Sequence, residues 1–579
     1  MALSVDAVAS LVKELNIADK TSEVDSQVPG HSSSTLQDSI QSLDQSVKVI
    51  SSQAQQAHSL AGSIPYPSSL DITQINLLCR LANEVTEAVR ILDDTANTLK
   101  NAREVSIVAS LTSLGGQGGA KFRDGSLLQR MLTHFDEQIR SIVRGVLDNS
   151  SDVILWKIAE ECYNQASSYS GSLHTDNYFV PHDEALLERP YDPDYQAEGY
   201  YEHEDRLLID QNYAKSIEEQ TQHRREERER EEELWVDFWV FVLGRCPNGP
   251  TLFHPPANHE IELHMLGTAD IPHYLFRTFD TMSSGKNDNS VVASLASVHK
   301  PPYDSRIDLL SLSAHEATHM MHTHLAKHTC GGEYSDNLVS WTSSLLFAIQ
   351  YAIWRRRRFR CSAANIQICA VDTRRFPHGQ FAPDMWLLQA YHNTAAKLGG
   401  DTKRFFHFRL GDERYQNGEF LSQGSVHHAG RSCVVSLEKL QESELYNLYP
   451  ELAEEEGMNR WSNRVLELRR RWSEERLTSA QELDFAEMVA RRCFHAFEAA
   501  DMMLILLTFK ARKMKEYPKD DNKNCPKWAR KPDEVRRYVS AAGLLKSRKQ
   551  TMNGRGGASL RISNGVSGIQ IVKEMFDYI

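Results

Sequence analysis

Residues 337–352 read NLVSWTSSLLFAIQYA, a short apolar run, a cluster of hydroxyls and then a helical stretch. The run NLVSW has the length and texture of a strand, while FAIQYAIW behind it has a helical pattern, so the junction predicts a strand feeding directly into a helix. Working outward, similar short runs stand at HYLFRTF (273–279), NIQICAVDT (365–373), GEFLSQGSV (418–426) and SCVVSL (432–437). Turns and two helical stretches separate them. This mixture makes the chain after Pro255 an α+β segment, with a domain expected over 250–440.

The flanks have a helical texture. Residues 1–112 form a helical N-terminal region, with three- and four-residue apolar steps in VASLVKEL (8–15) and INLLCRLANEVTEAVRILDDTANTL (75–99). Residues 113–125 are expected to be a Gly-rich linker: GGQGGAK (115–121) lacks both the Gly-Lys-Ser/Thr ending and the preceding strand of a phosphate loop. A helical segment is expected over 126–170. An acidic, Tyr-rich loop containing PYDPDYQAEGYYEHEDR follows over 171–217, and a charged helix over 218–245. The run EEQTQHRREEREREEE (218–233) mixes both signs at helical spacing, as a solvated arm does. Helical patterns return over 441–545, and a partly flexible tail fills 546–579.

A chain of 579 residues, 41% hydrophobic and 25% charged, has ample material for several globular cores. Its formal net charge of −13 argues against coating nucleic acid or an anionic membrane, so a nucleic-acid partner is not expected. The first residues lack a signal-peptide pattern, and no segment offers about 18 uninterrupted apolar residues. An intracellular protein, cytoplasmic or nuclear, is the expectation. Nine scattered cysteines with no Cys-x-x-Cys pair fit a reducing compartment. The helical terminal regions are the expected surface for a protein partner.

Three elements in the α+β segment carry chemistry in a particular order: HYLFRTFD with Arg277, NLVSWTSSLLFAIQYA with Ser340, and YQNGEFLSQGSV with Glu419. This order resembles the Arg-Ser-Glu class of ADP-ribosyltransferases, in which an Arg lies on the first core strand, a Ser-Thr-Ser-like motif precedes a helix and a Glu lies on a later strand. The wider wording, through VVSLEKL (434–440) and LYPEL (448–452), also looks like a fungal family of uncharacterised domains built on that scheme. The resemblance covers roughly a third of the chain. It implies an ADP-ribosyltransferase-like mixed β core that takes NAD as substrate, acting as an ADP-ribosyltransferase (a glycosyltransferase) or NAD glycohydrolase on an unidentified acceptor.

Each residue type suits that chemistry. Breaking the nicotinamide–ribose bond builds positive charge on the sugar, which a carboxylate at Glu419 can stabilise. A planar guanidinium at Arg277 can anchor a phosphate or ribose oxygen through two bonds. Ser340 can hydrogen-bond the ribose and hold the carboxylate, with Thr342 and Ser343 as further hydroxyls and Tyr351 as a ring to cover the nicotinamide. Catalytic roles therefore fall to Glu419 and Ser340, and binding roles to Arg277, Thr342, Ser343 and Tyr351. The sequence departs from the arginine-modifying pattern at Asn417, where a second Glu would stand, and at Trp341, where Thr is usual. A fold retained without turnover, serving as an interaction or regulatory module, is thus the alternative. Each residue also has a plain reading: Arg277 pairs a carboxylate, Ser340 caps the following helix, and Glu419 is an edge-strand surface charge.

Two further motifs compete. His315-Glu316-Ala317-Thr318-His319 matches His-Glu-x-x-His, in which two imidazoles on one helix face bind zinc and Glu316 acts as base in a hydrolase. The extended pattern would need Gly at 322 and His at 325, where the chain has His322 and Leu325. Only an irregular site using His322, Glu333 or Asp336 is left, so zinc is not expected and a surface helix is the preferred reading. Arg355-Arg356-Arg357-Arg358 continues the FAIQYAIW helix and reads as a solvated helix end ahead of a nuclear import signal or phosphate patch.

Overall fold

The computed structural model describes residues 32–62, 72–116, 125–148, 155–179, 208–254, 271–300, 305–326, 336–412, 416–454, 461–516, 530–554 and 568–577. VASLVKEL, Glu333, the Tyr-rich run at 190–206 and residues 117–124 of the expected linker lie outside them. The chain divides into two compact units, residues 1–106 and 107–579. The first holds helix α1 (Ser32–Gly62) and most of α2 (Ile72–Gly116). On α2, Ile75, Leu78, Val85, Val89 and Leu92 are exposed apolar side chains, spaced three or four residues apart or by seven. The start of the expected linker is helical, since α2 runs on to Gly116.

The second unit opens with a helical core. Helices α3 (Gly125–His134), α4 (Asp136–Asp148) and α5 (Leu155–Ser167) bury Met131, Phe135, Val143, Ile158 and Tyr163. Two stretches of the expected acidic loop, 171–179 and 208–217, are among the described residues. Leu173 and Thr175 are buried, and helix α6 (Gln211–Arg245) starts ahead of residue 218. The described charged side chains of 218–233 are mostly exposed, whereas Trp235, Phe238, Trp239 and Leu243 on the same helix enter the core, with Trp235 stacked on Phe135 at 5.5 Å. A polar arm therefore ends in an apolar anchor, because only its last turns carry large apolar residues on the inner stripe.

The rest is mixed α and β. Strands β1 (Tyr274–Phe279), β4 (Leu338–Thr342), β5 (Gln367–Asp372), β6 (Ala382–Pro383), β7 (Glu419–Gln423) and β9 (Ser432–Ser436) make an antiparallel six-stranded sheet in the order β6-β7-β4-β1-β5-β9. Strands β2 (Lys286–Asn287), β3 (Val291–Ala293) and β8 (Ser425–His427) form a smaller one. Alternation along each strand sorts its side chains between two faces. One face carries Leu275, Phe279, Val339, Trp341, Cys369 and Phe420, packed with Val292 and Val426 of the small sheet.

The other face bears two separate apolar clusters. Phe276, Ile368, Ala370 and Val435 lie under α8 (Leu345–Phe359) and the C-terminal helices, including α12 (Ala480–Cys493), α13 (Ala499–Leu507), α14 (Asp533–Gly554) and α15 (Gly568–Met575). Leu338, Ala382 and Leu421 lie under α7 (Ala314–Ala326), α9 (Asp384–Ala390), α10 (His392–Leu398) and α11 (Gly400–Gly411). The expected tail thus contains α15, with Ile571, Val572 and Met575 buried. Among the described residues, no helix is long and apolar enough to cross a membrane.

Candidate functional site

The three strands bearing Arg277, Ser340 and Glu419 are neighbours. β1 meets β4 with Phe276 opposite Thr342, and β4 meets β7 with Ser340 opposite Leu421 and Thr342 opposite Glu419. Ser340, Thr342 and Glu419 therefore share one face, at the boundary between its two apolar clusters. Arg277 is in phase with Leu275 and Phe279 and so starts from the opposite face. The sheet thus brings Ser340 and Glu419 together and sets Arg277 beside them by a different route. Its Nη1 donates to the Ser340 backbone carbonyl at 2.8 Å, and its Nε donates to Asn287 Oδ1 at 3.0 Å.

Arg277 makes no ion pair with a carboxylate among the described residues, contrary to its plain reading. Burial pulls its pKa down to about 10. Among the described residues the guanidinium is held by two neutral acceptors and has no carboxylate counter-charge, as an anion-binding group requires.

Glu419 is not an edge-strand surface charge. Its side chain is 13% exposed, and Arg409 of α11 approaches it at 3.4 Å while also contacting Asp384 of α9. Burial, with the Glu419 carboxylate adding and Arg409 opposing, pushes the Asp384 pKa up to about 7. One cation between two carboxylates holds Glu419 from the side of α9 and α11.

The hydroxyl cluster divides its labour. Thr342 donates to the Asn417 carbonyl at 2.8 Å and Ser343 to the Gly418 carbonyl at 3.2 Å, locking the junction to the turn that delivers Glu419. Gly418 has φ +61, and a Cβ there would come within 2.1 Å of Ser343 Oγ, so this turn requires glycine. Ser344, not Ser340, caps α8 by accepting from Phe347 N–H at 3.0 Å. Ser340 instead faces α7: its Oγ lies 2.9 Å from His324 Nε2, while His324 Nδ1 lies 3.0 Å from both Asp336 oxygens. Trp341, on the far face, donates Nε1–H to Ser422 Oγ at 2.8 Å.

Tyr351 stacks on Trp354 at 5.7 Å, and its hydroxyl accepts from Arg355 Nη1 at 2.9 Å. Arg355 corrects the expected solvated helix end. It is buried and bidentate to Asp280, while Arg356, Arg358 and Arg360 are exposed. The helical period carried the signal, since Arg355 follows Ala348 and Ala352 on the buried stripe.

In the His-Glu-x-x-His helix, His315 and His319 are exposed. Glu316 is occupied as a cap partner: Ser313 Oγ donates to it at 2.6 Å. This hydrogen bond, foremost, holds the Glu316 carboxyl below its usual range. His322 Nδ1 meets Thr402 Oγ1 at 3.1 Å. Among the described residues, no group of three His, Cys, Asp or Glu is placed to hold a metal ion. His324, Arg409, Asp384 and Asn287 carry no motif spacing, and sequence reading missed them as site residues.

Residues 270–440 match a family described as a domain of unknown function (DUF7587). No curated protein and no solved structure matches the chain.

Proposed function

We propose that the domain spanning 270–440 is an ADP-ribosyltransferase-like module that binds NAD and breaks its nicotinamide–ribose bond. The observation that carries this reading is the run of adjacent strands β1, β4 and β7, with Arg277 bonded across to the Ser340 carbonyl and Glu419 on the face of Ser340. Arg277, which has no carboxylate partner among the described residues, supplies positive charge for a pyrophosphate, and Ser340 a hydroxyl for the ribose. Glu419 provides the carboxylate that stabilises the cationic sugar as neutral nicotinamide leaves, after which water or an acceptor nucleophile attacks the anomeric carbon and releases its proton to solvent.

Arg409 favours a second reading. A carboxylate already paired with a guanidinium stabilises a new cation less well, so the domain binds dinucleotide without turnover and serves as a regulatory module. The exposed apolar residues of α2 support a protein partner for the N-terminal region under either reading.

Nicotinamide release by the full chain separates the two, with dinucleotide binding followed by calorimetry. Under the first reading the wild type releases nicotinamide, and Glu419→Gln lowers the rate about 10²-fold or more. Equal release by both proteins refutes the role of Glu419. Binding with no release establishes the second reading, and neither binding nor release overturns both.

A further inference from the structure

Ser340 has neighbours that dinucleotide chemistry does not use. Asp336, His324 and Ser340 form a continuous chain: carboxylate to Nδ1 at 3.0 Å, and Nε2 to Oγ at 2.9 Å. An ionised Asp336 only accepts, which places the ring proton on Nδ1 and leaves Nε2 to accept from the serine hydroxyl. Asp336 is itself oriented by the Leu338 N–H, which donates to Oδ1 at 2.8 Å. His324 comes from the last turn of α7 and Ser340 from the middle of β4, so the imidazole and the hydroxyl stand on regular elements, while Asp336 lies just ahead of β4. The hydroxyl is half-buried at the boundary between two apolar clusters.

We propose that Asp336, His324 and Ser340 are a nucleophilic relay that hydrolyses carboxylic esters. Ser340 Oγ attacks the carbonyl carbon as His324 Nε2 takes its proton. The C–O bond to the alcohol then breaks, and His324 returns that proton to the leaving oxygen. Water next attacks the acyl-serine, with His324 again accepting and returning a proton. The products are the carboxylic acid and free Ser340. Asp336 is the positioning residue that fixes the imidazole tautomer.

The test is the reaction of the full chain with a fluorophosphonate ester probe in the absence of dinucleotide, with the adduct located by peptide mass spectrometry. An adduct on wild-type Ser340 is expected, forming about 10²- to 10⁴-fold more slowly in His324→Gln and Asp336→Asn. Circular dichroism reports whether each variant is folded, and Asp336→Asn carries the comparison if His324→Gln is not. No adduct on Ser340 of folded wild type, or an undiminished rate in a folded variant, overturns the relay. Nicotinamide release is scored separately, so either activity can fail without the other.

Discussion

Asp280 and Arg355 show how a single buried pair fixes the mouth of β1. Arg355 Nε and Nη2 each donate to Asp280 at 2.6 Å, and the aspartate side chain is 0% exposed. Burial opposes ionisation of Asp280, yet its bonds to Arg355 outweigh that and hold its carboxyl below the usual range. Asp280→Ala leaves a buried guanidinium without a counter-charge and is expected to cost about 3–5 kcal/mol in denaturant unfolding. The sign of the pH effect follows from the depressed pKa. The stabilisation is complete above the unfolded carboxyl value of about 3.9 and is lost as pH falls through the lower folded value. The wild-type advantage over Asp280→Ala should therefore shrink below about pH 4. A constant difference down to acid pH would show that the pair does not titrate as a unit.

At the scale of the element, α8 is the helix on which the site depends, and its N-terminus is held from two directions. Ser344 Oγ accepts from Phe347 N–H at 3.0 Å and donates to Glu534 Oε1 at 2.5 Å. Glu534, on α14, also takes three bonds from Arg469, the shortest at 2.8 Å. The cap thus ties the strand-to-helix junction to the C-terminal helices. Ser344→Ala should cost about 1–3 kcal/mol, combining a lost cap with a buried carboxylate one bond short. A double-mutant cycle with Glu534→Gln should return a coupling of about 0.5–3 kcal/mol. Additive effects would mean that the two ends do not communicate.

Across the whole molecule, the match at 270–440 and the unit that must fold do not coincide. Phe276, Ile349 and Ile368 from the sheet region share one cluster with Leu468, Val489, Leu504 and Val572. Removing the C-terminal helices exposes that sheet face to water, at about 25 cal/mol per Å² of apolar area. Residues 270–440 expressed alone should be insoluble or lack cooperative unfolding, whereas residues 107–579 should show a cooperative transition. Calorimetry and circular dichroism check this, and a stable 270–440 fragment would show that the shared cluster is dispensable.

Several features were legible from local pattern. Short apolar runs at 273–279, 365–373, 418–426 and 432–437 contain the observed strands β1, β5, β7 and β9, because strand texture is written in successive residues. The run at 337–341 likewise leads into β4 and then α8. Register was not legible. A one-residue change in pairing moves a side chain to the other face, so the order Arg277, Ser340, Glu419 left open that Arg277 starts from the face opposite the other two. Nor could spacing reveal that His324 meets Ser340, or that Arg409 meets Glu419, since such contacts exist only once α7 and α11 have packed on the sheet. The sequence by itself determined which segments become strands and helices, through periods of two and 3.6 residues that each backbone imposes locally. Only the tertiary structure decided which charges are compensated and which hydroxyl meets an imidazole, because long-range packing sets burial and pairing.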